Sequence, residues 1–308
     1  MAEVLIDLKE IHRFYGDFEA LKGISLKVEK GQIFGYLGPN GSGKTTTIKL
    51  ILGLIRPSVG TVKVNGGDPY TEKGSNVRKN MGSMLELDGL YDKLTGFENL
   101  LYWAELFDIE SPNTVETAEN VIKLVEMSNW ADVQVSKYSF GMRKRLSLAR
   151  ALICDPDLII LDEPTVGVDP ETRYIIRKMM KNFASQGKTI FFSSHDLEEI
   201  QKTCTHVAII KKGKLISNGT LDDVLDHFGK PKIFIRMKSS EDTKQVAQKL
   251  EDIGHVTNID GPVISFYPKN DFNINEFFKY GVLDSWKVES SLEEVYLNLV
   301  ANTEDENE

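Results

Sequence analysis

Residues 38–45 read Gly-Pro-Asn-Gly-Ser-Gly-Lys-Thr, a complete Gly-x-x-x-x-Gly-Lys-Thr motif. The apolar run at 32–37 predicts a buried strand before it, and the apolar spacing of 45–54 predicts a helix after it. A glycine-rich loop in this setting turns backbone N–H groups toward phosphate oxygens, and the helix N-terminus adds partial positive charge. The motif therefore predicts a nucleoside triphosphate site, with Lys44 on the β and γ phosphates and the Thr45 hydroxyl on magnesium.

The composition is that of a globular enzyme. The chain has 308 residues, 41% hydrophobic and 27% charged, which is enough to bury a core and to form two domains. Its net charge of -9 disfavours nucleic acid as the main partner. Cys154 and Cys204 have neither zinc nor redox spacing, and we expect reduced thiols in the cytosol. No signal peptide or apolar run of 18 residues is present, so the chain is not expected to span a membrane unaided.

A second apolar strand ends in two acidic residues. Residues 158–161 read Leu-Ile-Ile-Leu and lead directly into Asp162 and Glu163. Doubly wound sheets bind their ligands at the carboxyl ends of parallel strands. We therefore expect Asp162 to hold magnesium through water, and Glu163 to face the γ-phosphate and polarise the attacking water as general base.

The segment before that strand, residues 138–152, reads Tyr-Ser-Phe-Gly-Met-Arg-Lys-Arg-Leu-Ser-Leu-Ala-Arg-Ala-Leu. Its spacing predicts a helix with apolar residues on one face and bases on the other. Ser139 lies near the N-cap, so its hydroxyl and the first N–H groups predict a second anion site. This segment, with the acidic strand after it, resembles the signature segment of ATP-binding cassette (ABC) transporter ATPases. The usual family pattern is Leu-Ser-Gly-Gly-Gln, from which Phe140 and Met142 depart.

Other positions resemble the family one by one. Tyr15 resembles the aromatic residue that stacks on adenine, and His195 resembles the switch histidine that contacts the γ-phosphate. Asp169 lies in a segment, residues 167–170, that resembles the loop running between the two cassettes of a dimer. Glu86 stands where the family places a glutamine that ligates magnesium and touches the membrane partner, and a carboxylate oxygen can also ligate magnesium.

The resemblance implies three sets of site residues. The catalytic residues would be Glu163, His195 and Lys44, and the magnesium ligands Thr45, Glu86 and Asp162. ATP would be bound by Tyr15, Gly38, Pro39, Asn40, Gly41, Ser42, Gly43, Lys44, Thr45, Thr46, Glu86, Ser139, Gly141, Asp162, Glu163 and His195.

The expected fold is α/β, a phosphate-loop NTPase of the ABC cassette type at residues 1–220. It would have an N-terminal β-rich subdomain and a helical insert at about 88–150. Residues 221–231 read as a linker, residues 232–301 as a small α+β accessory domain, and residues 302–308 as an acidic disordered tail.

In having a glutamate at position 86 and an accessory domain, the chain is similar to the ABC ATPase subfamily that serves drug and antibiotic-resistance export. The resemblance implies an ATP-hydrolysing subunit at the cytoplasmic face of the membrane. Its cassettes would dimerise head to tail, as a homodimer or heterodimer, against a separate multi-spanning permease. Two alternatives remain open. A soluble non-transport ABC ATPase acting on DNA or ribosomes is disfavoured by the single cassette and the absence of a basic face. A regulatory module that binds ATP without hydrolysing it is disfavoured by Glu163.

Overall fold

The computed structural model describes residues 3–71, 74–86, 88–107, 113–229, 231–268 and 272–305. The chain divides into two compact units, Met1–Leu221 and Asp222–Glu308. In chain order, the first unit contains β1 (Val4–Tyr15), β2 (Phe18–Glu29), β3 (Ile33–Leu37), α1 (Lys44–Ile51), β4 (Val59–Val64), α2 (Gly74–Lys79), β5 (Met81–Met84), α3 (Gly96–Leu106), α4 (Asn113–Leu124), α5 (Phe140–Leu152), β6 (Leu158–Asp162), α6 (Pro170–Ser185), β7 (Thr189–Ser194), α7 (Leu197–Thr203), β8 (His206–Lys211) and β9 (Lys214–Thr220).

Within the described residues, the central sheet of this unit has the strand order β5-β6-β7-β3-β8-β9, parallel except for β9. Strands β3, β6 and β7 are buried along their whole length, which explains why their sequences are continuous apolar runs rather than alternating ones. Leu37 pairs with Ser194, and Asp162 pairs with Ser193. The carboxyl ends of these three strands therefore lie side by side at one edge of the sheet.

An antiparallel sheet of order β2-β1-β4 forms the N-terminal part of the unit. Its inward side chains, such as Ile6, Leu8 and Leu26, share one core with Tyr36 and Ile48 of the nucleotide-loop region. Strand β1 ends at Tyr15, just before the turn into β2. That turn leaves the Tyr15 ring 45% exposed.

Helices α3, α4 and α5 form the insert between β5 and β6. Helix α5 begins after Ser139, whose hydroxyl accepts a hydrogen bond from the Met142 backbone N–H at 3.3 Å, so the predicted N-cap is confirmed. The prediction that the bases of this helix share a face opposite the apolar residues is wrong. Lys144 is buried, and Arg143 forms ion pairs with Asp88 at 2.7 Å and Asp92 at 2.5 Å. The fold decides these positions, which helical spacing cannot reveal: Asp88 and Asp92 pair with Arg143, whereas Lys144 is buried without an ion pair among the described residues.

The second unit is α+β. Its four-stranded antiparallel sheet, of order β11-β12-β10-β13 within the described residues, packs a core that includes Ile235, Leu250 and Phe266. Its elements are α8 (Leu221–Phe228), β10 (Lys232–Met237), α9 (Ser240–Asp252), β11 (Thr257–Asp260), β12 (Val263–Phe266), a 3₁₀ helix (Ile274–Tyr280), β13 (Val282–Val288) and α10 (Leu292–Asp305).

Two predictions near this unit need correction. The expected linker at 221–231 is helical from Leu221 to Phe228, because Leu221 and Val224 give the segment a buried apolar side. The expected disordered tail is wrong over 302–305, since α10 continues to Asp305, while 306–308 lie outside the described residues. Once packed residues such as Val295 have nucleated a helix, each added residue contributes one more hydrogen bond. Among the described helices, none is long and apolar enough to cross a bilayer.

Candidate nucleotide site

A cavity of ≈ 870 Å³ opens at the carboxyl ends of β3, β6 and β7. It collects predicted site residues from five separate parts of the first unit. Its lining is formed by Tyr15, Phe18, Ala20, Asn40, Gly41, Gly43, Lys44, Thr45, Thr46, Glu86, Phe140, Lys144, Asp162, Glu163, Val166 and His195.

The loop between β3 and α1 is shaped by glycines that no other residue could replace. Gly43 has φ 111°, and a Cβ there would lie 2.6 Å from Leu21 Cδ2. A Cβ on Gly38 would lie 2.3 Å from the Ile210 carbonyl oxygen. Gly43 is the N-cap of α1 and has no side chain to accept from the first turn, so the N–H groups there are left for an anion. The loop therefore has the shape that phosphate binding requires.

Lys44 is buried and its ammonium is held in place by the loop itself. Its Nζ donates to the carbonyl oxygens of Gly38 at 2.7 Å and Pro39 at 3.2 Å. It also forms an ion pair with Glu163 Oε1 at 3.1 Å, although the approach lacks hydrogen-bond alignment. The lysine is thus positioned before any ligand arrives, with Glu163 as its counter-ion.

Glu163 occupies a strained position directly after β6. Its φ of 49° lies in the left-handed region, which a non-glycine residue adopts only when the surrounding structure imposes it. Its second carboxylate oxygen, Oε2, lies 3.0 Å from His195 Nδ1. The predicted general base is therefore fixed between Lys44 on one side and the switch histidine on the other.

Asp162 is buried to 3% exposure, and Ser193 holds its carboxylate. The Ser193 hydroxyl donates to Asp162 Oδ1 at 2.6 Å and accepts from the Glu163 N–H at 3.0 Å. One hydroxyl thus positions both acidic residues. The sequence analysis missed Ser193, and its place at the carboxyl end of β7 was the available signal.

A second polar group missed by the sequence analysis lies beneath the site. Glu199 is 2% exposed and accepts hydrogen bonds from Thr165 Oγ1 at 2.5 Å and Ser194 Oγ at 2.9 Å. Burial raises the pKa of the Glu199 carboxyl, and these two donors oppose that shift. Glu199 therefore ties the loop after Glu163 to the strand that ends before His195.

The residues predicted to hold magnesium share the cavity. The Thr45 hydroxyl, the Glu86 carboxylate and Asp162 all line it. Among the described residues, no group of three or more His, Cys, Asp or Glu side chains could hold a metal ion alone. Two carboxylates and a hydroxyl fit magnesium that also binds substrate phosphates, which is its usual mode. The side chains are thus suited to a nucleotide-bound metal rather than a resident one.

Three predicted residues, Ser139, Gly141 and Asp169, do not line this cavity. Ser139 caps its own helix, and a Cβ on Gly141 would lie 2.8 Å from Thr172 Oγ1 of α6. Asp169 caps α6 by accepting from the Thr172 N–H at 2.9 Å, and hydrogen bonds from Thr172 lower the pKa of its carboxyl. Gly38, Pro39 and Ser42 belong to the loop but do not line the cavity.

Phe140 and Lys144 line the cavity, although neither was predicted to do so. The Phe140 ring also covers Gly167, where an added Cβ would lie 3.0 Å from ring carbon Cε1. Residues four apart share one face of a helix. The four-residue spacing from Phe140 was therefore the sequence signal that could have placed Lys144 on the same face of α5.

The fold and the site define a phosphate-loop ATPase of the cassette type. The family model described as "ABC transporter" matches residues 21–166. The Nod factor export ATP-binding protein I of Burkholderia pseudomallei strain 1710b is 32% identical over 97% of this chain and 98% of its own length. The protein of the same name from Cupriavidus metallidurans is 37% identical over 72% of this chain and 73% of its own.

Solved structures agree with these sequence relationships. The cbiO1 protein from Clostridium perfringens, part of the ABC transporter complex cbiONQ, has a TM-score of 0.67 at 26% identity, over 82% of this chain and 98% of its own. The bacterial ABC transporter cassette MJ0796, solved as a dimer, has a TM-score of 0.65 at 25% identity, over 70% of this chain and 99% of its own. The chain belongs to the family of ABC transporter ATP-binding subunits, which bind and hydrolyse ATP. The fold and the ATPase activity predicted from the sequence are thereby confirmed.

Proposed function

We propose that this chain is the ATPase subunit of an ABC exporter and drives a separate multi-spanning permease from the cytoplasmic face of the membrane. Relatives that match nearly the whole chain carry export in their names. Under this proposal, the pathway for the substrate would lie in that other subunit. The substrate class is set by that subunit.

The observation that carries the proposal is that one chain holds only half of the predicted ATP site. The phosphate loop, Asp162, Glu163 and His195 line one cavity, whereas Ser139 and Gly141 lie outside it. A second cassette, either another copy or a related chain, would supply its own Ser139 and Gly141 to this cavity. The complete site then forms only in a head-to-tail dimer, which links ATP binding to closure.

Within the cavity, each residue would have a separate task. The Lys44 ammonium would bind the β and γ phosphates, and the open N-terminus of α1 would bind their oxygens. Thr45, Glu86 and Asp162 would hold magnesium, which when bound neutralises charge on the phosphates. The exposed ring of Tyr15 would stack on adenine, with the Arg13 guanidinium 4.7 Å from its ring centroid.

Glu163 would act as general base toward water. Its present ion pair with Lys44 competes with that task, because the carboxylate that would polarise water now faces an ammonium. A phosphate that draws Lys44 away would leave Glu163 with His195 alone. Nucleotide binding would thus free the base at the moment it is needed.

The Glu86 segment would carry the movement toward the permease. Arg143 of α5 forms ion pairs with Asp88 and Asp92, and Ser147 of the same helix donates to the Asp88 carbonyl oxygen at 3.2 Å. A shift of α5 on dimer closure would therefore move this segment. Close to it, Tyr91 and Tyr102 are exposed with their rings 4.8 Å apart, an aromatic surface suited to a protein partner.

Glu163→Gln tests the proposal. The amide keeps the shape of the carboxylate and removes the base, so ATP binding is retained and turnover falls by at least about 100-fold. Size-exclusion chromatography in ATP and magnesium should then show a trapped dimer. Glu171→Gln, an exposed change in the first turn of α6, is the matched control and should behave as wild type. Undiminished hydrolysis by Glu163→Gln would remove the residue from its role.

Association with a permease has its own test. Affinity purification of the full chain from detergent-solubilised membranes should recover a multi-spanning protein in stoichiometric amount. Tyr102→Glu should reduce that recovery without changing the ATP affinity of the isolated chain. Recovery of ribosomes or DNA in place of a membrane protein would support the soluble, non-transport alternative.

A further inference from the structure

Lys144 is a buried lysine for which the proposed catalytic cycle has no task. It lies one turn into α5 and is only 8% exposed. An ammonium removed from water costs several kcal/mol unless a partner compensates. Within the described part of the chain, Lys144 Nζ forms no ion pair, and its recorded contact is with the face of the Phe140 ring, 5.6 Å from the centroid. Lys144 is therefore a buried cation that the described part of the fold leaves without an ion pair.

The surroundings of Lys144 indicate where that partner would bind. The side chain lines the nucleotide cavity together with Asp162, Glu163 and Glu86. Burial lowers the pKa of the Lys144 ammonium, and the carboxylates of Asp162, Asp88, Glu86 and Glu163 oppose that shift. These acidic residues lie at the end of the cavity where the terminal phosphate is attacked under the proposed function. They are attracted to Lys144 without forming an ion pair with it.

Lys44 differs from Lys144 in having its partners already. Two carbonyl oxygens and Glu163 surround the Lys44 ammonium. Lys144 faces the same cavity from the helical insert, and its contact among the described residues is with an aromatic ring, which attracts a cation more weakly than an anion does. A phosphate that enters the cavity would be a far stronger partner, because charge-assisted hydrogen bonds are the strong ones.

We propose that Lys144 is a second cation of the nucleotide site that binds the terminal phosphate of ATP bound by its own chain. The inference rests on the proposed function, since it requires the γ-phosphate to lie near Glu163. It gives the helix that begins at Ser139 a direct contact with the nucleotide bound by the same chain. The position of the signature segment would then depend on whether ATP or ADP is bound. Phe140 would hold the ammonium until the triphosphate arrives.

The test compares ATP with ADP in equilibrium titrations of the full chain. Lys144→Met keeps much of the apolar length and removes the charge. It should weaken ATP binding about tenfold or more and ADP binding less than about twofold. Lys144→Arg should retain most of the preference for ATP. Lys137→Met, an exposed change in the same insert, is the matched control and should leave both affinities unchanged.

The outcomes separate the inference from the proposed function. Equal changes in ATP and ADP affinity, or no change in either, would overturn the inference. A purely structural counter-ion would give such equal changes together with a lower melting temperature. If Lys144→Met does not fold, Lys144→Gln replaces it in the same titrations. A wild-type chain that binds no ATP would instead overturn the proposed function, whereas normal ATP binding that is lost in Lys44→Ala would leave it standing.

Discussion

The N-termini of α1 and α5 are both suited to anions, but they are prepared differently. Helix α1 begins after Gly43, which has no side chain to accept from the first turn. Helix α5 begins after Ser139, whose hydroxyl already accepts from the Met142 N–H at 3.3 Å, and Phe140 lies at its first position. The first end is open to phosphate in a single chain. The second is satisfied by its own cap, so we infer that its backbone N–H groups bind phosphate only when another cassette brings it to them.

The largest effect, a loss of turnover, should come from a negative charge placed at the N-terminus of α5. Ser139→Asp keeps the N-cap, since Asp and Ser cap helices about equally well, so the melting temperature should not change. The added negative charge would repel the phosphate of the opposing cassette and lower turnover roughly 100- to 1000-fold, the scale of losing an electrostatic contact in a transition state. ATP affinity of the isolated chain should stay within about twofold.

Ser136→Asp places the same charge in the exposed 3₁₀ turn before the helix and is the control for general electrostatics. A loss of ATP affinity in Ser139→Asp would break the comparison, because it would show that the capped N–H groups of α5, and not Lys144 alone, take part in first binding. Phosphate release and fluorescence titration together decide between these readings.

At the N-terminus of α1 we expect the opposite pattern, in which ATP affinity itself is lost. Lys44→Ala removes charge-assisted hydrogen bonds that contribute about 1.5–3 kcal/mol each. At about 1.4 kcal/mol per tenfold, ATP affinity should fall roughly 10- to 100-fold. Lys49→Ala, on the same helix, is the control and should bind ATP normally. Calorimetric titration measures both, and an unchanged affinity in Lys44→Ala would contradict the assigned role.

The same comparison shows how far sequence alone reached. The phosphate loop, the Asp162-Glu163 pair and the cap at Ser139 were predictable because each depends on a local pattern next to a strand or a helix. Their meeting in one cavity was predictable only through the rule that ligands bind at the carboxyl ends of parallel strands. The second unit is α+β, as predicted, and its described strands form one antiparallel sheet.

What sequence could not give were contacts between residues far apart in the chain. Ser193 positions Asp162 across 31 residues, and Arg143 reaches Asp88 across 55. Lys144 resembled any other base on a helical face until the fold buried it. Helix α10 continues into an acidic segment that composition alone assigned to solvent. Tertiary contacts decided the first three cases, and helix propagation from a packed segment decided the fourth.

A smaller effect on turnover is expected from changes to Phe140, whose ring covers the N-terminus of α5. The Phe140 ring packs over Gly167 and under the Lys144 ammonium. Phe140→Gly should raise basal turnover a few-fold, because it restores glycine at a loop that must approach phosphate closely. ATP affinity should change by less than about fivefold, the scale of one cation–π contact of about 0.5–1 kcal/mol.

Phe140→Leu separates the ring from its bulk and should give a smaller increase in turnover than Phe140→Gly. Steady-state phosphate release by the isolated chain measures both variants. A basal rate that falls in Phe140→Gly would show that the ring supports closure, and the two helix ends would then differ less than proposed.

The smallest effect is on stability and concerns Glu199, the buried acid that ties the loop after Glu163 to β7. Glu199 accepts from Thr165 and Ser194, and burial raises the pKa of its carboxyl from the ordinary value of 4.5. A group with a raised folded pKa contributes stability that is complete below the unfolded pKa and is lost as pH rises through the folded pKa. Glu199→Gln should therefore gain free energy of unfolding relative to wild type as pH rises from 4 to 7.

The neighbouring Glu198 supplies a control of opposite sign. A hydrogen bond from Lys202, with its charge, lowers the pKa of the exposed Glu198 carboxyl. Its stabilising contribution is present above the unfolded pKa and is lost as pH falls, so Glu198→Gln should lose stability relative to wild type as pH rises. Urea unfolding of the three proteins at several pH values gives both slopes. If the two differences had the same sign, Glu199 would not be the buried, proton-binding acid that ties the loop after Glu163 to β7.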